Sequence, residues 1–279
     1  AMGVIEPARS AYSSPIVLVR KKDQTHRFCI DYRRLNKITE FEVEPLPDSE
    51  YIYAKVAKAQ YFTKIDLSKG YWQVPVKKED RHKLAFSTPD ASYQWLVMPF
   101  GVQNAPSVFS RMMRKLLEPF TDMPIYNFMD DLLVATESWQ EHMKLLGAVM
   151  ERLQEAGLTA RPSKCQLGFS TMDYLGHTLK HGNLAPDAAK IEHLRDAPQP
   201  TTKTEVRSFL GFAGYYRRHV PGFSTIALPL TDLTKKSAPN KVEWTDECEI
   251  AFQRLKRALT AKSILRLPDL TRLGVAYRC

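Results

Sequence analysis

Apolar and polar positions along this chain switch between a two-residue and a helical period, and the switches mark out its elements. Ile16-Val17-Leu18-Val19 and Phe28-Cys29-Ile30 flank a polar stretch near Asp23-Gln24-Thr25, so Pro15 to Ile30 reads as a basic hairpin. Glu42 to Ser49 is polar and punctuated by proline, the composition of a connector. Tyr61 to Ile65 has the aromatic and aliphatic character of a strand. From Ala105 to Phe120, Phe109, Met112, Met113, Leu116 and Leu117 recur at helical spacing, with Pro106 suited to the first turn. Ile125 to Met129 and Leu132 to Ala135 read as two strands. A second helix is expected from Trp139 to Ala156, stopped at Gly157, with Trp139, Met143, Leu146, Val149, Met150 and Leu153 as its buried stripe and the methionines as core filler. Strand, helix, hairpin, helix, strand is the order of a split βαβ, ferredoxin-like sheet with helices on one face, an α+β architecture.

A third region begins near Pro198-Gln199-Pro200. Thr202 with Glu205 forms a capping box, and Val206, Phe209, Leu210, Ala213 and Tyr216 follow on one side of the predicted helix, which also carries Arg207, Arg217, Arg218 and His219. A last helix is predicted from Asp246 to Thr260. The chain contains no internal repeat and no low-complexity segment.

Candidate chemistry sits where two apolar runs meet, at Phe128-Met129-Asp130-Asp131-Leu132. Asp tolerates the backbone angles of a tight turn. Adjacent carboxylates repel, and burying one without a partner is unfavourable, so a divalent cation would relieve the site and let it hold phosphates. A solvated hairpin tip is the bland alternative. Asp66, at the end of the Tyr61 run, changes the balance: three carboxylates from two strand ends can bridge two metal ions about 4 Å apart, the arrangement of in-line phosphoryl transfer.

Composition narrows the class. The 279 residues are 44% hydrophobic and 25% charged, as in ordinary globular proteins with room for more than one subdomain. No apolar run reaches membrane-spanning length and no signal-peptide pattern opens the chain, so no membrane partner is expected. Cys29, Cys165, Cys248 and Cys279 lie far apart, which fits a reducing compartment better than a disulfide framework. The net charge is +9, and from position 200 onward 14 Lys and Arg face 7 Asp and Glu. Such an excess suits a phosphate backbone as well as it suits a solvated surface. The first residue is Ala, which reads as a fragment or a processed product.

Six blocks occur in order: Ser13-Ser14-Pro15-Ile16-Val17-Leu18-Val19-Arg20-Lys21-Lys22-Asp23, Arg27 to Asn36, the Asp66 stretch through Trp72, Met98-Pro99-Phe100-Gly101-Val102-Gln103-Asn104-Ala105-Pro106, Phe128 to Asp131, and Tyr174-Leu175-Gly176-His177. Together they resemble the reverse transcriptase of gypsy-type long-terminal-repeat retrotransposons, from about Val4 to about Asp269. The resemblance implies a right-hand polymerase with fingers at 1–40 and 74–104, palm at 41–73 and 105–185, a helical thumb at 186–262, and a truncated connection at 263–279.

The resemblance also implies roles. Asp66, Asp130 and Asp131 would bind two Mg2+, with Mn2+ as a substitute, and Lys164 would protonate the leaving pyrophosphate. Lys21 and Arg27 would grip the triphosphate. Leu67, through its carbonyl, and Met129, Phe100 and Gln103 would line the nucleotide site, and Tyr71 would exclude a ribose 2′-hydroxyl. Leu175, Gly176 and His177 would form the primer grip, and Arg207, Arg217 and Arg218 the thumb's nucleic-acid face. His177 reads equally well as a structural histidine.

The implied substrates are deoxynucleoside triphosphates, an RNA template, a DNA primer and their RNA/DNA hybrid. The implied context is a polyprotein with protease, ribonuclease H and integrase, in cytoplasmic particles with a nuclear phase; dimerisation stays open. Ribonuclease H activity is not expected from this chain. Phe128 stands where the family usually has Tyr, Leu84 where it has Thr, and the turn after Asp23 lacks the usual Gly. Two rivals remain: a decayed or domesticated element that binds nucleic acid without catalysis, and an RNA-dependent RNA polymerase, against which Tyr71 speaks.

Overall fold

The computed structural model describes residues 3–20, 24, 26–45, 49–181, 183–261 and 265–266, the side chains of residues 27, 265 and 266 excepted. In chain order the strands and helices of the first half are β1 (Ile5–Pro7), β2 (Ile16–Arg20), β3 (His26–Ile30), α1 (Arg33–Asn36), α2 (Ser49–Lys55), β4 (Tyr61–Asp66), β5 (Phe86–Ser87), β6 (Ser92–Trp95), α3 (Ala105–Leu117), β7 (Ile125–Phe128), β8 (Asp131–Thr136), α4 (Trp139–Glu155) and β9 (Gln166–Phe169). There follow β10 (Thr171–Tyr174), β11 (His177–Lys180), β12 (Asn183–Pro186), α5 (Ala188–Arg195), α6 (Lys203–Tyr215), α7 (Phe223–Asp232), α8 (Asp246–Thr260) and β13 (Leu265–Arg266). The chain forms two compact units, Ala1–Ile52 with Tyr61–Phe169, and Tyr53–Gln60 with Ser170–Cys279.

The first unit is built on an antiparallel sheet of order β7-β8-β4-β9. With α3 between β4 and β7, and α4 between β8 and β9, this is the expected split βαβ arrangement. Alternation along the strands decides what each face meets. Ile65, Leu132 and Val134 point into a core with Phe109, Met113 and Leu116 of α3 and Leu145, Val149 and Leu153 of α4. Asp66 and Asp131, one residue out of phase, face the other way. A second cluster of Ile30, Tyr32, Leu84, Phe86 and Trp95 supports the β2–β3 hairpin and the β1-β6-β5 sheet. The connector before α2 lies along α3: Glu42 pairs with Arg111 and Glu44 with Arg114, while Asn104 and Ser107 bond its backbone.

The predicted stripe of α4 holds at Val149 and Leu153, which are buried, and at Leu146, which packs against the core, but not at its other three positions. Trp139, Met143 and Met150 are about half exposed, and the buried line is His142, Leu145, Val149 and Leu153. These methionines therefore fill no core. The cause is a polar pair on the sheet: the His142 ring nitrogens bond Thr63 Oγ1 at 2.6 Å and Thr136 Oγ1 at 2.9 Å. A histidine with both nitrogens satisfied can be buried, so α4 rotates its polar residue inward. The register of β9 shifts between its pairs with Phe62 and Lys64, at Gly168 with φ +69°, where a Cβ would stand 2.8 Å from the Trp139 ring.

In the second unit β10, β11, β12 and β13 form one antiparallel sheet, and α5 to α8 share a core of Val206, Phe209, Ala213, Leu230, Phe252 and Leu255. The capping box at Thr202 and Glu205 is present. The helix stops at Tyr215 rather than running through to His219, and Arg217–His219 is a separate 3₁₀ turn. α7 carries Pro229 inside it and α5 spans only eight residues, which hid both from periodicity. Among the described residues no helix is long and apolar enough to cross a membrane, and Cys29, Cys165 and Cys248 are free thiols.

Replacing His142 by Ala should lower unfolding free energy by about 2–4 kcal/mol, since it leaves a cavity and two buried hydroxyls without a partner. Urea denaturation of the two proteins checks this, and equal midpoints would refute it.

Candidate active site

β4 and β8 pair so that Asp66 lies opposite Asp131 at the last step of their ladder. β7 and β8 are joined by the two-residue turn Met129-Asp130, with Phe128 paired to Asp131. Met129 has φ +56°, the left-handed backbone that a primed hairpin turn requires of its first central residue. An unbranched side chain tolerates it at some strain, and strain of this kind gathers at functional sites. The turn carries Asp130 beside the segment after β4: the Leu67 N–H donates to the Asp130 carbonyl at 3.4 Å, and a Cβ on Gly70 would lie 3.6 Å from Asp130 Cβ.

The three predicted aspartates thus meet at one end of the sheet, and Asp131 feels the charges of the other two. Burial pushes the Asp131 carboxyl above its usual pKa; the Lys64 ammonium opposes this, and the charges of Asp130 and Asp66 add to the rise. Lys64 Nζ sits 3.0 Å from Asp131, and Lys164 Nζ sits 3.6 Å from Asp66. Two ammonium groups therefore stand where the carboxylates call for cations. As they stand, no three His, Cys, Asp or Glu side chains among the described residues converge as a closed metal-ligand set. Hard oxygen donors held as a like-charged group nevertheless match the donor chemistry of Mg2+, which completes its shell with water and phosphate.

Tyr71 follows on a 3₁₀ turn, Gly70–Gln73. Its ring packs between Phe100 and Phe109, at centroid distances of 5.3 and 5.6 Å. Burial raises its hydroxyl pKa, and the Asp130 charge adds to that. Phe100 is about half exposed. Its loop is held by Asn36, whose side chain accepts the Gln103 N–H at 3.0 Å and donates to the Gly101 carbonyl at 2.9 Å. Arg27 is on β3 opposite Val19, but its side chain, like the whole of Lys21, lies outside the described residues.

The second unit carries the remaining predicted residues. Leu175 and Gly176 form the two-residue turn between β10 and β11, both with positive φ. Gly suits position 176, where φ is +75° and a Cβ would come within 2.9 Å of Lys190 Nζ and 3.1 Å of the Tyr215 ring. The Leu175 carbonyl accepts hydrogen bonds from the Tyr53 and Tyr215 hydroxyls, and the Gly176 carbonyl accepts one from Tyr216.

His177 takes the structural alternative: it is buried among Tyr53, Tyr215, Tyr216 and His219, and burial lowers its pKa to about 4, with the nearby His219 and Lys190 adding to the fall and the Leu175 carbonyl and Asp187 opposing it. His219 is stacked on it rather than standing with the exposed Arg217 and Arg218. Arg207 is exposed and donates to the Thr234 carbonyl.

Sequence reasoning missed Lys64, Gln73 and Asn36. Only Lys64 left a signal: it precedes Asp66 by two residues, so both lie on one face of β4.

A family model described as reverse transcriptase (RNA-dependent DNA polymerase) matches residues 19–179. The chain belongs to the reverse transcriptase family. It is 36% identical over 272 residues to the retrovirus-related Pol polyprotein from transposon 297 of Drosophila melanogaster, covering 96% of this chain and 26% of that protein. It is 32% identical over 270 residues to the transposon Tf2-3 polyprotein of Schizosaccharomyces pombe, covering 97% of this chain and 20% of that one.

Among solved structures, a foamy viral protease–reverse transcriptase in complex with RNA/DNA hybrid matches with a TM-score of 0.84 and 28% identity, covering 94% of this chain and 35% of that chain. The same viral protein with double-stranded DNA matches at 0.85 and 29%, covering 92% and 54%. The chain spans about a quarter of the length of the curated relatives it matches. Its helices and antiparallel sheets are those of the right-hand polymerase of this reverse transcriptase family.

The depressed pKa of His177 sets a pH dependence. Its neutral form is the buried one, so below about 6.5 the unfolded chain takes up the proton first. The stabilisation is complete above that value and is lost as pH falls toward 4, at up to about 1.4 kcal/mol per pH unit. Thermal melts from pH 7 to 4 should steepen accordingly, and His177→Gln should flatten the slope; parallel curves would refute the assignment.

Proposed function

We propose that this chain is the polymerase portion of a gypsy-type element, extending a primer 3′-hydroxyl with deoxynucleotides on an RNA or DNA template. The observation that carries the reading is the meeting of Asp66, Asp130 and Asp131 at one strand end, with Tyr71 beside them. Membership of the reverse transcriptase family supports the reaction class. The curated relatives are a retrovirus-related Pol polyprotein and a polyprotein of transposons, which supports a transposon source, and the solved relatives bound to RNA/DNA hybrid and double-stranded DNA support those partners.

Asp66, Asp130 and Asp131 are the residues that would hold two divalent cations, Mg2+ or in its place Mn2+. Once bound, such ions lower the pKa of the primer hydroxyl and neutralise charge on the departing pyrophosphate. The chain's own groups do the rest. Lys164, whose ammonium already reaches Asp66, is the proton donor to pyrophosphate. The Tyr71 ring, wedged between Phe100 and Phe109, presents a fixed edge to the sugar and leaves no room for a 2′-hydroxyl. Phe100 and Gln103 pack on the nucleotide and template, and Met129 and the Leu67 carbonyl line the same site. Lys21 and Arg27 hold the triphosphate.

The Leu175–His177 turn positions the primer end through backbone, since its His177 side chain is buried. Arg207, Arg217 and Arg218 face the duplex from the thumb. Fingers at 1–40 and 74–104, palm at 41–73 and 105–185, and thumb at 186–262 follow from this reading. So do a polyprotein context with protease, ribonuclease H and integrase, and cytoplasmic particles with nuclear passage of the DNA product.

Primer extension on oligo(dT)-primed poly(rA) with magnesium tests the reading. The wild-type chain should extend, and Asp130→Asn should lose at least about 100-fold in rate, because one charge of the cation site is gone. Equal extension by the two proteins would overturn the metal assignment, and hybrid binding without extension would favour a non-catalytic relic. Tyr71→Ala should admit ribonucleotides that the wild type rejects, measured as the ratio of dTTP to UTP incorporation on the same template.

A further inference from the structure

We propose that Gln73 is a positioning residue that holds the Lys164 loop in register with Asp66; the inference rests on the role given to Lys164 above. Gln73 ends the 3₁₀ turn that carries Tyr71, and its side chain crosses to the segment between α4 and β9. Its Nε2 donates to the carbonyls of Ser68 at 2.7 Å and Thr159 at 3.0 Å. Its Oε1 accepts the Thr159 N–H at 2.6 Å and the Thr159 hydroxyl at 3.2 Å. Both donors and both acceptor positions of the amide are used, and only one orientation of the amide satisfies all four bonds.

The backbone continues the connection. The Ser68 N–H donates to the Thr159 carbonyl at 2.8 Å, Leu67 forms an antiparallel bridge with Ala160, and the Arg161 N–H donates to the Asp66 carbonyl at 2.9 Å. From Arg161 the chain turns tightly: the N–H groups of Lys164 and Cys165 both return to the Arg161 carbonyl. Each link from Gln73 to Lys164 is therefore a short backbone or amide hydrogen bond, and the last member sets its ammonium 3.6 Å from Asp66 Oδ2.

Lys164 has a long, mobile and largely exposed side chain, so its base must be placed by something else if it is to meet a phosphate oxygen repeatedly. The bonds of the Gln73 side chain go to loop backbone and to the Thr159 hydroxyl rather than to the strands, so its removal is expected to loosen this loop before the sheet. The same glutamine joins the turn bearing Tyr71 to the loop bearing Lys164, so sugar selection and proton donation share one support.

The test is Gln73→Leu, of similar size and without hydrogen-bonding groups. Steady-state extension should show kcat reduced roughly 10-fold with KM for the deoxynucleotide within about twofold, as expected when a general acid is misplaced but the binding site survives. In a Lys164→Ala background the same change should add less than about twofold, because the two residues act through one group. Amide hydrogen exchange on the metal-free protein gives an independent readout: the Thr159 amide should exchange roughly 10-fold faster in Gln73→Leu.

Gln73→Asn keeps a neutral amide on a shorter side chain that reaches fewer of these partners, so it should fall between the wild type and Gln73→Leu in rate and exchange, and it serves if Gln73→Leu fails to fold. Unchanged kcat and Thr159 exchange, or full multiplication of the Gln73 and Lys164 effects, would overturn the proposal while leaving the polymerase reading intact. If the wild type extends no primer, the polymerase reading itself fails, and exchange alone then decides whether Gln73 holds the loop.

Discussion

The register between β4 and β8 is the constraint on which the first unit depends. It sets Asp66 against Asp131 and, in the same stroke, sends Ile65, Leu132 and Val134 into the core under α3 and α4. A slip of one residue would exchange the faces, driving carboxylates into an apolar interior and leucines into the site. Core packing and site assembly are therefore one choice. The hydrophobic pattern that stabilises the sheet is also what forces two like charges together, and the turn at Met129-Asp130 adds a third.

That crowding explains the lysines. Like carboxylates a few ångströms apart repel by an amount that local dielectric decides, about 4 kcal/mol for a pair at 4 Å near a protein surface. Lys64 and Lys164 offset part of this without metal. They differ in kind. Lys64 rises from the strand itself and is largely buried, whereas Lys164 is largely exposed and reaches in from a loop. The first suits permanent compensation of Asp131, and the second suits a group that changes partner when phosphate arrives.

Much of this was legible from sequence where a local rule acts alone. A tight turn follows from Asp between two apolar runs, although it falls one residue earlier than the Asp-Asp pair, at Met129-Asp130, because Asp131 pairs with Phe128 and opens β8; α3 follows from helical spacing, and the Thr202 cap from its Glu205 partner. The ferredoxin-like order followed from the succession of elements. What was not legible depended on partners far away in sequence. The phase of α4 turns on Thr63 and Thr136, which satisfy His142 and let it displace Met143 from the buried side. The break after Tyr215 was hidden by continuing aromatic and basic spacing, and α7 by its internal Pro229. The six ordered motifs supplied the aspartates and Tyr71, and the family resemblance supplied Lys164, but no motif marks a residue whose work is to hold another in place.

Asn36 and Gln73 show why. Each is an amide side chain that bonds loop backbone 65 or 86 residues away, and in both cases the loop carries a residue of the site. An amide suits this work because it offers donor and acceptor together and carries no charge. A charged residue in the same position would add to a field that already shifts Asp131 and Tyr71. Near a cluster of three carboxylates, the supporting contacts are best made by neutral groups, and charge is kept for the residues that meet substrate. The β4–β8 ladder fixes the carboxylates, the two neutral clamps fix the loops around them, and the lysines are left to answer the charge.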